Sequence, residues 1–345
     1  MVRKLIDAWL ERRHIFVPDA EVSAAERIRL ARLYGGFSLA HATLNPDAVS
    51  SFGGAGGYIA YSQKMGYAFA LGDPLAAPTD RPGLIRRFIE RFGDPWFVQI
   101  SEPVAATLAQ ENYWITSLGF DTVLPLDSYS FAGKEKEGIR HASNWLARRG
   151  YVIEERTRSD DTAAMLAAIS QEWRGSRIVK GREMGFINRA FGAAAEPGER
   201  VFVLFDPAGK AVAFIIFDPL YAGGELIGYV TALKRRLAEA GGYAELGLMR
   251  RAVETFQHEG LREVRLGLSP LAPAAPSAFR ESAFLRILFR HLYRSRMINS
   301  RIFNLAGQVA YKRRFHGIEE PVYVATRKGL TPLQLIAVLR LSKLI

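Results

Sequence analysis

The spacing of hydrophobic positions changes several times along the chain, and each change marks an element. Residues 1–35 carry helical spacing, first in "LIDAWLERR" and then in "SAAERIRLARLYGG". In the second, Ser23 followed by Glu26 forms a capping box and Gly35-Gly36 ends the helix. "GYIAYSQ" and "GYAFALGDP" read as strands. "RPGLIRRFIERFGD" predicts a helix with Pro82 near its start and Gly93 at its end. "PWFVQIS" predicts a strand, "VAATLAQENYWITSLGF" begins as a helix, and "SYSFAG" predicts a further strand. This succession makes one α/β unit.

A basic helix follows in "GKEKEGIRHASNWLARRGY", from about Lys134 to Arg149, and the pattern then restarts. "YVIEERT" reads as a strand and "DDTAAMLAAISQEWRGS" as a helix with aspartate at its cap. "RVFVLFDPAGKAVAFIIFDPLYAGGELIGYVTAL" reads as three strands joined by the turns "DPAGK" and "YAGGE". "YAELGLMRRAVETFQHEG" predicts a helix and "REVRLGLSPLA" the strand after it. The expected organisation is therefore N-terminal helices over 1–35, a first unit over 36–133, a connecting helix over 134–150, a second unit over 151–328 and an apolar tail over 329–345. Strand, helix, meander, helix, strand is the order of the general-control N-acetyltransferase fold, and of other α+β folds.

Composition narrows the function classes. With 49% hydrophobic residues in 345, the chain can bury a large core. It has no cysteine, which excludes disulfides and thiolate metal sites and is compatible with the reducing cytoplasm. The N-terminus has no secretory h-region, and no apolar run approaches the roughly 20 residues of a membrane span. The formal charge of +11 favours polyanionic partners, nucleic acid or anionic lipid. Arg286 to Lys328 holds ten Lys or Arg against Glu319 and Glu320, so +8 of the +11 is concentrated there. That pattern suits a local basic surface, or a solvated helix face.

The usual chemistry-bearing motifs are missing. There is no P-loop, no HExxH, no GxSxG and no GxGxxG after a strand. The six histidines show no paired metal spacing. The place where an acetyltransferase would hold coenzyme A reads "LKRRLAEAGGYAELGLMRR"; it contains Gly241-Gly242, but the loop is acidic and its spacing is wrong. Neither cofactor nor metal is expected.

Four stretches remain as candidates. "LGDPLA" sits at a strand end, where Asp73-Pro74 is a turn former. "EWRGSRIVKGREMGF", with Glu172, Trp173, Glu183 and Phe186, has the mixed composition of a pocket loop or of an ordinary surface loop. "ELGLMRR" puts Glu245 and Met249 on one helix face with Arg250 to one side. "RIFNLAGQVAYKRRFHG" sets Lys312, Arg313 and Arg314 between Tyr311 and Phe315. Cations interleaved with rings suit a single-stranded nucleic acid end, phosphates on the cations and bases on the rings. A cationic rim on an anionic membrane has the same composition.

Taken together, these pieces resemble the catalytic domain of the bacterial aminoacyl-phosphatidylglycerol synthases, the multiple peptide resistance factor family. The resemblance runs from about Gly57 to Thr326 through "LGDPLA", "KEGIRHASN", "EWRGSRIVKGREMGF", "GLMRR", "RLGLSPLA" and "FNLAGQVAYKRRF", in family order. It implies an α/β (α+β) chain of two tandem acetyltransferase-like (GNAT-like) units joined by a basic helix. It also implies a transferase that takes the aminoacyl group of aminoacyl-tRNA, not of coenzyme A, to a hydroxyl of an anionic phospholipid. Such an enzyme would be cytoplasmic, peripheral to the inner face of the membrane. The resemblance would place Lys312 at the reacting ester, with Arg250, Glu245 and Glu183 as further catalytic candidates. Glu172, Trp173, Phe186, Asn304, Arg313, Arg314, Phe315 and Arg140 would bind substrate.

This chain departs from the family at "GLMRR", where Gly247 stands in place of an acid, and the multi-span segment common in the family is not expected within these 345 residues. Lipid acceptors other than phosphatidylglycerol, and soluble hydroxyls or amines, therefore stay open. So do a non-catalytic basic module binding RNA or anionic lipid, an acyl-CoA-dependent N-acyltransferase and a peptidoglycan-type aminoacyltransferase. The terminal "LTPLQLIAVLRLSKLI" is expected either to lie on a membrane or to dock on the protein's own core.

Overall fold

A computed structural model describes residues 22–45, 49–175, 191–192, 196–274, 277–302, 304–327 and 332–341. The helix Ala24–Tyr34 (α1) starts at its sequence signal, the Ser23 side chain accepting from the Glu26 N–H at 3.2 Å. Its Arg27 is buried, and donates to the Val22 and Val49 carbonyls and to Ser51 Oγ. A buried cation satisfied in this way fixes the helix to the first strand.

The strands Ser50–Gly54 (β1), Gly57–Lys64 (β2) and Tyr67–Leu71 (β3) pair antiparallel in sequence order, and the short Leu75–Ala76 (β4) adds to β2. The helix Arg81–Phe92 (α2) then crosses over, so that Trp96–Ile100 (β5) lies parallel to β3. Period-two alternation sends Tyr58 and Ala60 to one face and Ile59 and Tyr61 to the other. Both faces are covered, which is why β2 reads as a continuous apolar run.

The helix Glu102–Gln110 (α3) ends ahead of Asn112, which takes a left-handed φ of 62°. The next twelve residues, Trp114–Pro125, are a strand (β6). The strand expected at "SYSFAG" is instead a turn and loop. Tyr129 N–H bonds back to the Pro125 carbonyl, while Lys136 and Arg140 hold the carbonyls of Ser130, Phe131 and Gly133. Those carbonyls are bound by side chains and pair with no neighbouring strand.

The helix Glu137–Arg148 (α4) leads to Val152–Arg156 (β7) and Asp160–Gly175 (α5). Arg200–Phe205 (β8), Ala211–Ala222 (β9) and Glu225–Arg236 (β10) pair antiparallel as a meander. Tyr243–His258 (α6) crosses over, and Glu263–Pro270 (β11) lies parallel to β10. The motif of β1–β2–β3–α2–β5 is thus written a second time as β8–β9–β10–α6–β11, giving a mixed α/β fold of acetyltransferase-like units.

The chain continues through Ala283–Arg294 (α7), Leu305–Arg313 (α8), Ile318–Thr326 (β12) and Pro332–Leu341 (α9). All the described strands join one sheet in the order β1-β2-β3-β5-β12-β6-β11-β10-β9-β8-β7. The last strand lies between β5 and β6, and β6 in turn pairs with β11. Helices α2 and α3 cover one face of the first half; α1, α7 and α9 contribute to the other. Ala337 of α9 is fully buried against that core, with Leu333, Ile336, Val338 and Leu341 around it. The described part of the tail is therefore docked on the protein. No helix among the described residues is long and apolar enough to cross a membrane.

Candidate active site

The ladder between β10 and β11 is short. It joins Gly228–Val230 to Glu263–Arg265 and stops, although β10 runs on to Arg236 and β11 to Pro270. Beyond that point β10 pairs with β9, with a register shift between Thr231 and Leu233. The other strand follows β6, with a register shift between Arg265 and Leu268. Within that bulge Gly267 takes φ 76°, a conformation glycine adopts at little cost. Parting parallel strands at their carboxyl ends opens a crevice of the kind that holds ligands in α/β sheets.

The helix α8 carries side chains to this crevice. It is capped by Asn304, whose Oδ1 accepts from the Gly307 N–H at 2.9 Å. Lys312 on its last turn is buried, and Nζ donates to the carbonyls of Gly267 at 2.6 Å and Leu268 at 2.7 Å. Burial pushes this amine down to about 7, against the opposing pull of the Asp121 carboxylate, while the Lys234 charge adds to the depression. Asp121 lies across the β6–β11 ladder from Leu268 and is buried. It accepts from Ser38 Oγ and has Arg265 at 3.9 Å. Burial raises its pKa, with Arg265 opposing.

The neighbouring residue, Tyr311, points to the other wall. Its hydroxyl donates to the Glu245 carbonyl at 3.3 Å, and Lys234 Nζ lies 3.3 Å from the centroid of its ring. The Glu245 carboxylate takes Lys234 at 2.9 Å and Arg236 at 3.2 Å. Burial works to raise Glu245, but those two cations outweigh it and hold the carboxyl below its usual range. Strand β10, the first turn of α6 and the end of α8 are thereby tied into one charged cluster beside Lys312.

Of the residues expected at a site, the fold brings Lys312 and Glu245 together through Tyr311 and Lys234. The three adjacent cations do not crowd one another, because successive helical positions diverge by about 100°. Lys312 points inward, and Arg313 pairs with Glu319 at 2.7 Å and lies over Phe120. Arg314 is exposed, with no acid paired to it among the described residues.

The other expected residues are placed elsewhere or have local roles. Phe315 is fully buried, its ring 5.4 Å from Tyr311 and its carbonyl taking the Tyr129 hydroxyl. The expectation that this ring stacks on a base does not fit, since it has no free face. Arg250 pairs with Glu254 at 2.7 Å and faces Phe131. Arg140 is engaged by the Phe131 and Gly133 carbonyls, and Asn304 by its cap. Trp173 lies under the Arg235 guanidinium, and Glu172 is exposed on the same helix. Glu183 and Phe186 fall outside the described residues. Asp73 anchors the start of α3, accepting from both Ser101 N and Ser101 Oγ.

Gly247 is explained by packing. A Cβ there would meet Leu146 Cδ1 of α4 at 2.4 Å. The position faces the α4–α6 contact, not the crevice.

Asp121, Lys234 and Gly267 are site residues that the sequence alone does not single out. Tyr311 is visible there as one of the rings flanking the cations.

Comparison with known proteins agrees with this architecture. The family model described as phosphatidylglycerol lysyltransferase, C-terminal, matches residues 28–326. A phosphatidylglycerol lysyltransferase of Bacillus subtilis is 24% identical over 304 residues, covering 86% of this chain and 34% of the relative. One from Staphylococcus epidermidis is 22% identical over 335 residues, covering 93% of this chain and 38% of the relative. The chain thus spans about a third of the length of these curated relatives. The solved structure of L-PGS from Bacillus licheniformis superposes with a TM-score of 0.79 at 20% identity, over 96% of this chain and 99% of that one. A C-terminal domain from Agrobacterium fabrum gives 0.73 at 22% identity, over 93% and 97%. These two likenesses show the shared fold. With its family model matched over most of its length, the chain belongs to the phosphatidylglycerol lysyltransferase C-terminal family.

Proposed function

We propose that the chain moves an aminoacyl group from aminoacyl-tRNA to the hydroxyl of a phosphatidylglycerol-type lipid, with Lys312 at the reacting ester. The observation that carries this reading is the buried Lys312 amine, fixed by two carbonyls at the parted end of β10 and β11 and depressed to about 7. A lysine on a solvated face would be exposed and fully charged. One tuned near neutral pH can give and take a proton during the reaction.

The donor ester is already activated, so catalysis needs mainly position and charge stabilisation. The lipid hydroxyl oxygen bonds to the ester carbonyl carbon, and the bond from that carbon to the ribose oxygen breaks. The hydroxyl proton ends on the departing ribose oxygen. Two of the three Lys312 N–H groups are committed to Gly267 and Leu268. The third is aimed by them and serves the ester, first at the developing oxyanion and then at the leaving ribose oxygen. Lys234, Arg236 and Glu245 fix the wall that Tyr311 forms beside it. Arg314, exposed one helical step outside, is positioned for a phosphate of the tRNA end or of the lipid. Arg250 has no part at the ester in this account, since Glu254 holds it.

The test is transfer of labelled amino acids from a charged total tRNA pool in the presence of phosphatidylglycerol, followed by organic extraction. RNase-sensitive label in the lipid phase supports the reaction. Consumption of charged tRNA without lipid label would point to a soluble acceptor, and no consumption would remove the transferase reading.

A further inference from the structure

The helix α7 has an outer face that the described fold does not use. Its inner face is spoken for: Leu285 is fully buried, and Leu288 and Phe289 pack on the first-half core. Tyr293 packs on the small cluster of Phe120, Ala272 and Val309. On the outer face Phe284 is 56% and Ile287 51% exposed, and Met297 just past the helix is 59% exposed. Single exposed apolar side chains are ordinary, but Phe284 and Ile287 are one turn apart, and the face they share is basic. Arg286, Arg290, His291, Arg294 and Arg296 are exposed around them. From Ala283 to Met297 there are four arginines and no acid. The nearby Glu281 is 3.8 Å from Arg286.

Charge and shape together select an occupant. A second copy of this face would set four arginines against four. A nucleic acid would neutralise the arginines but offers no hydrocarbon for Ile287 and Met297. An anionic bilayer offers both: phosphates at the depth of the guanidinium groups and acyl chains below them. We propose that α7, with the turn to Met297, is the surface by which this chain docks on an anionic membrane. The helix packs on α8 through Tyr293 and Val309, and Val309 is one turn before Lys312. Docking through α7 therefore holds the Lys312 crevice close to the headgroups. The inference rests on the lipid-acceptor reading for its purpose, but it is measured without tRNA.

The experiment is co-sedimentation of the full chain with vesicles of phosphatidylcholine, with and without phosphatidylglycerol, at low and high salt. The wild-type chain is expected on the vesicles that contain phosphatidylglycerol, less so at high salt. The double variant Phe284→Ser/Ile287→Ser should partition at least about tenfold more weakly, since two apolar side chains no longer enter the bilayer. Arg290→Ala/Arg294→Ala should lose about tenfold or more on anionic vesicles. Both pairs are exposed, and unchanged melting temperatures would verify the fold. Transfer to phosphatidylglycerol presented in detergent should stay at the wild-type rate in both. Unchanged partition of Phe284→Ser/Ile287→Ser, or a wild-type chain that ignores anionic vesicles, overturns the proposal. So does a loss of self-association in that variant with vesicle binding intact, which would assign the face to a second copy. Vesicle docking without any tRNA-dependent transfer would leave the docking surface standing and remove the proposed reaction instead.

Discussion

Lys312 Nζ reaches the Gly267 carbonyl, 2.6 Å away, because β11 bulges at a glycine held at φ 76°. The relationship ties a helix near the end of the chain to a kink in a strand more than forty residues earlier. It also makes the glycine testable. A Cβ at position 267 would find its nearest neighbour at 3.6 Å, so space is no obstacle and the backbone conformation is. Gly267→Ala should cost about 1–2 kcal/mol and reduce transfer at least tenfold by turning the carbonyl away. Gly267→Asn, which tolerates the left-handed region better, should lose less of both. Equal loss by the two variants in melting and rate assays would detach the bulge from the lysine.

The depressed Lys312 amine makes stability depend on pH with a definite sign. Its folded value is about 7 and its ordinary value 10.5, so between these the unfolded chain binds more protons than the folded one. Stability should therefore rise with pH across that window, and the full cost of charging a buried amine should be present below it. Lys312→Met removes this contribution. Denaturant melts at pH 7 and pH 9 should show the wild type gaining more stability over the interval than Lys312→Met does.

Two neighbours should move the lysine in opposite directions. The Asp121 carboxylate supports the charged form and Lys234 opposes it. Asp121→Asn should shift the inflection of the transfer rate to lower pH, and Lys234→Met should shift it to higher pH. Initial rates between pH 6 and 8 would show this, and parallel shifts would contradict the assignment of the inflection to Lys312.

Restoring an acid at position 247 should not help. The Cβ of Gly247→Asp would run into Leu146, and a buried carboxylate would be added to the α4–α6 contact. We expect destabilisation of about 1–3 kcal/mol or more and no gain in transfer, by thermal melting and the lipid assay.

The meander β8–β10 is legible in the sequence because "DPAGK" and "YAGGE" punctuate long apolar runs. Strand β6 is not, because "WITSLGF" follows the helical spacing of α3 without a glycine or proline break. The break is the left-handed Asn112, a conformation that residue identity only permits. The insertion of β12 between β5 and β6 is a long-range pairing with no local signature. At the site, the cations between rings draw attention to Lys312, but its partners are backbone carbonyls, invisible in side-chain patterns. Asn304, Arg140 and Phe315 stand in equally suggestive motifs, yet a helix cap, a pinned loop and a buried core account for their positions.

On the proposed mechanism the buried Lys312 amine serves the ester. Its most direct test is the initial rate of tRNA-dependent label transfer into phosphatidylglycerol by wild type and Lys312→Met, measured from pH 6 to 8. The expected result is a wild-type rate with an inflection near 7, and transfer by a folded Lys312→Met reduced to the uncatalysed background. A Lys312→Met chain that transfers at the wild-type rate would contradict it.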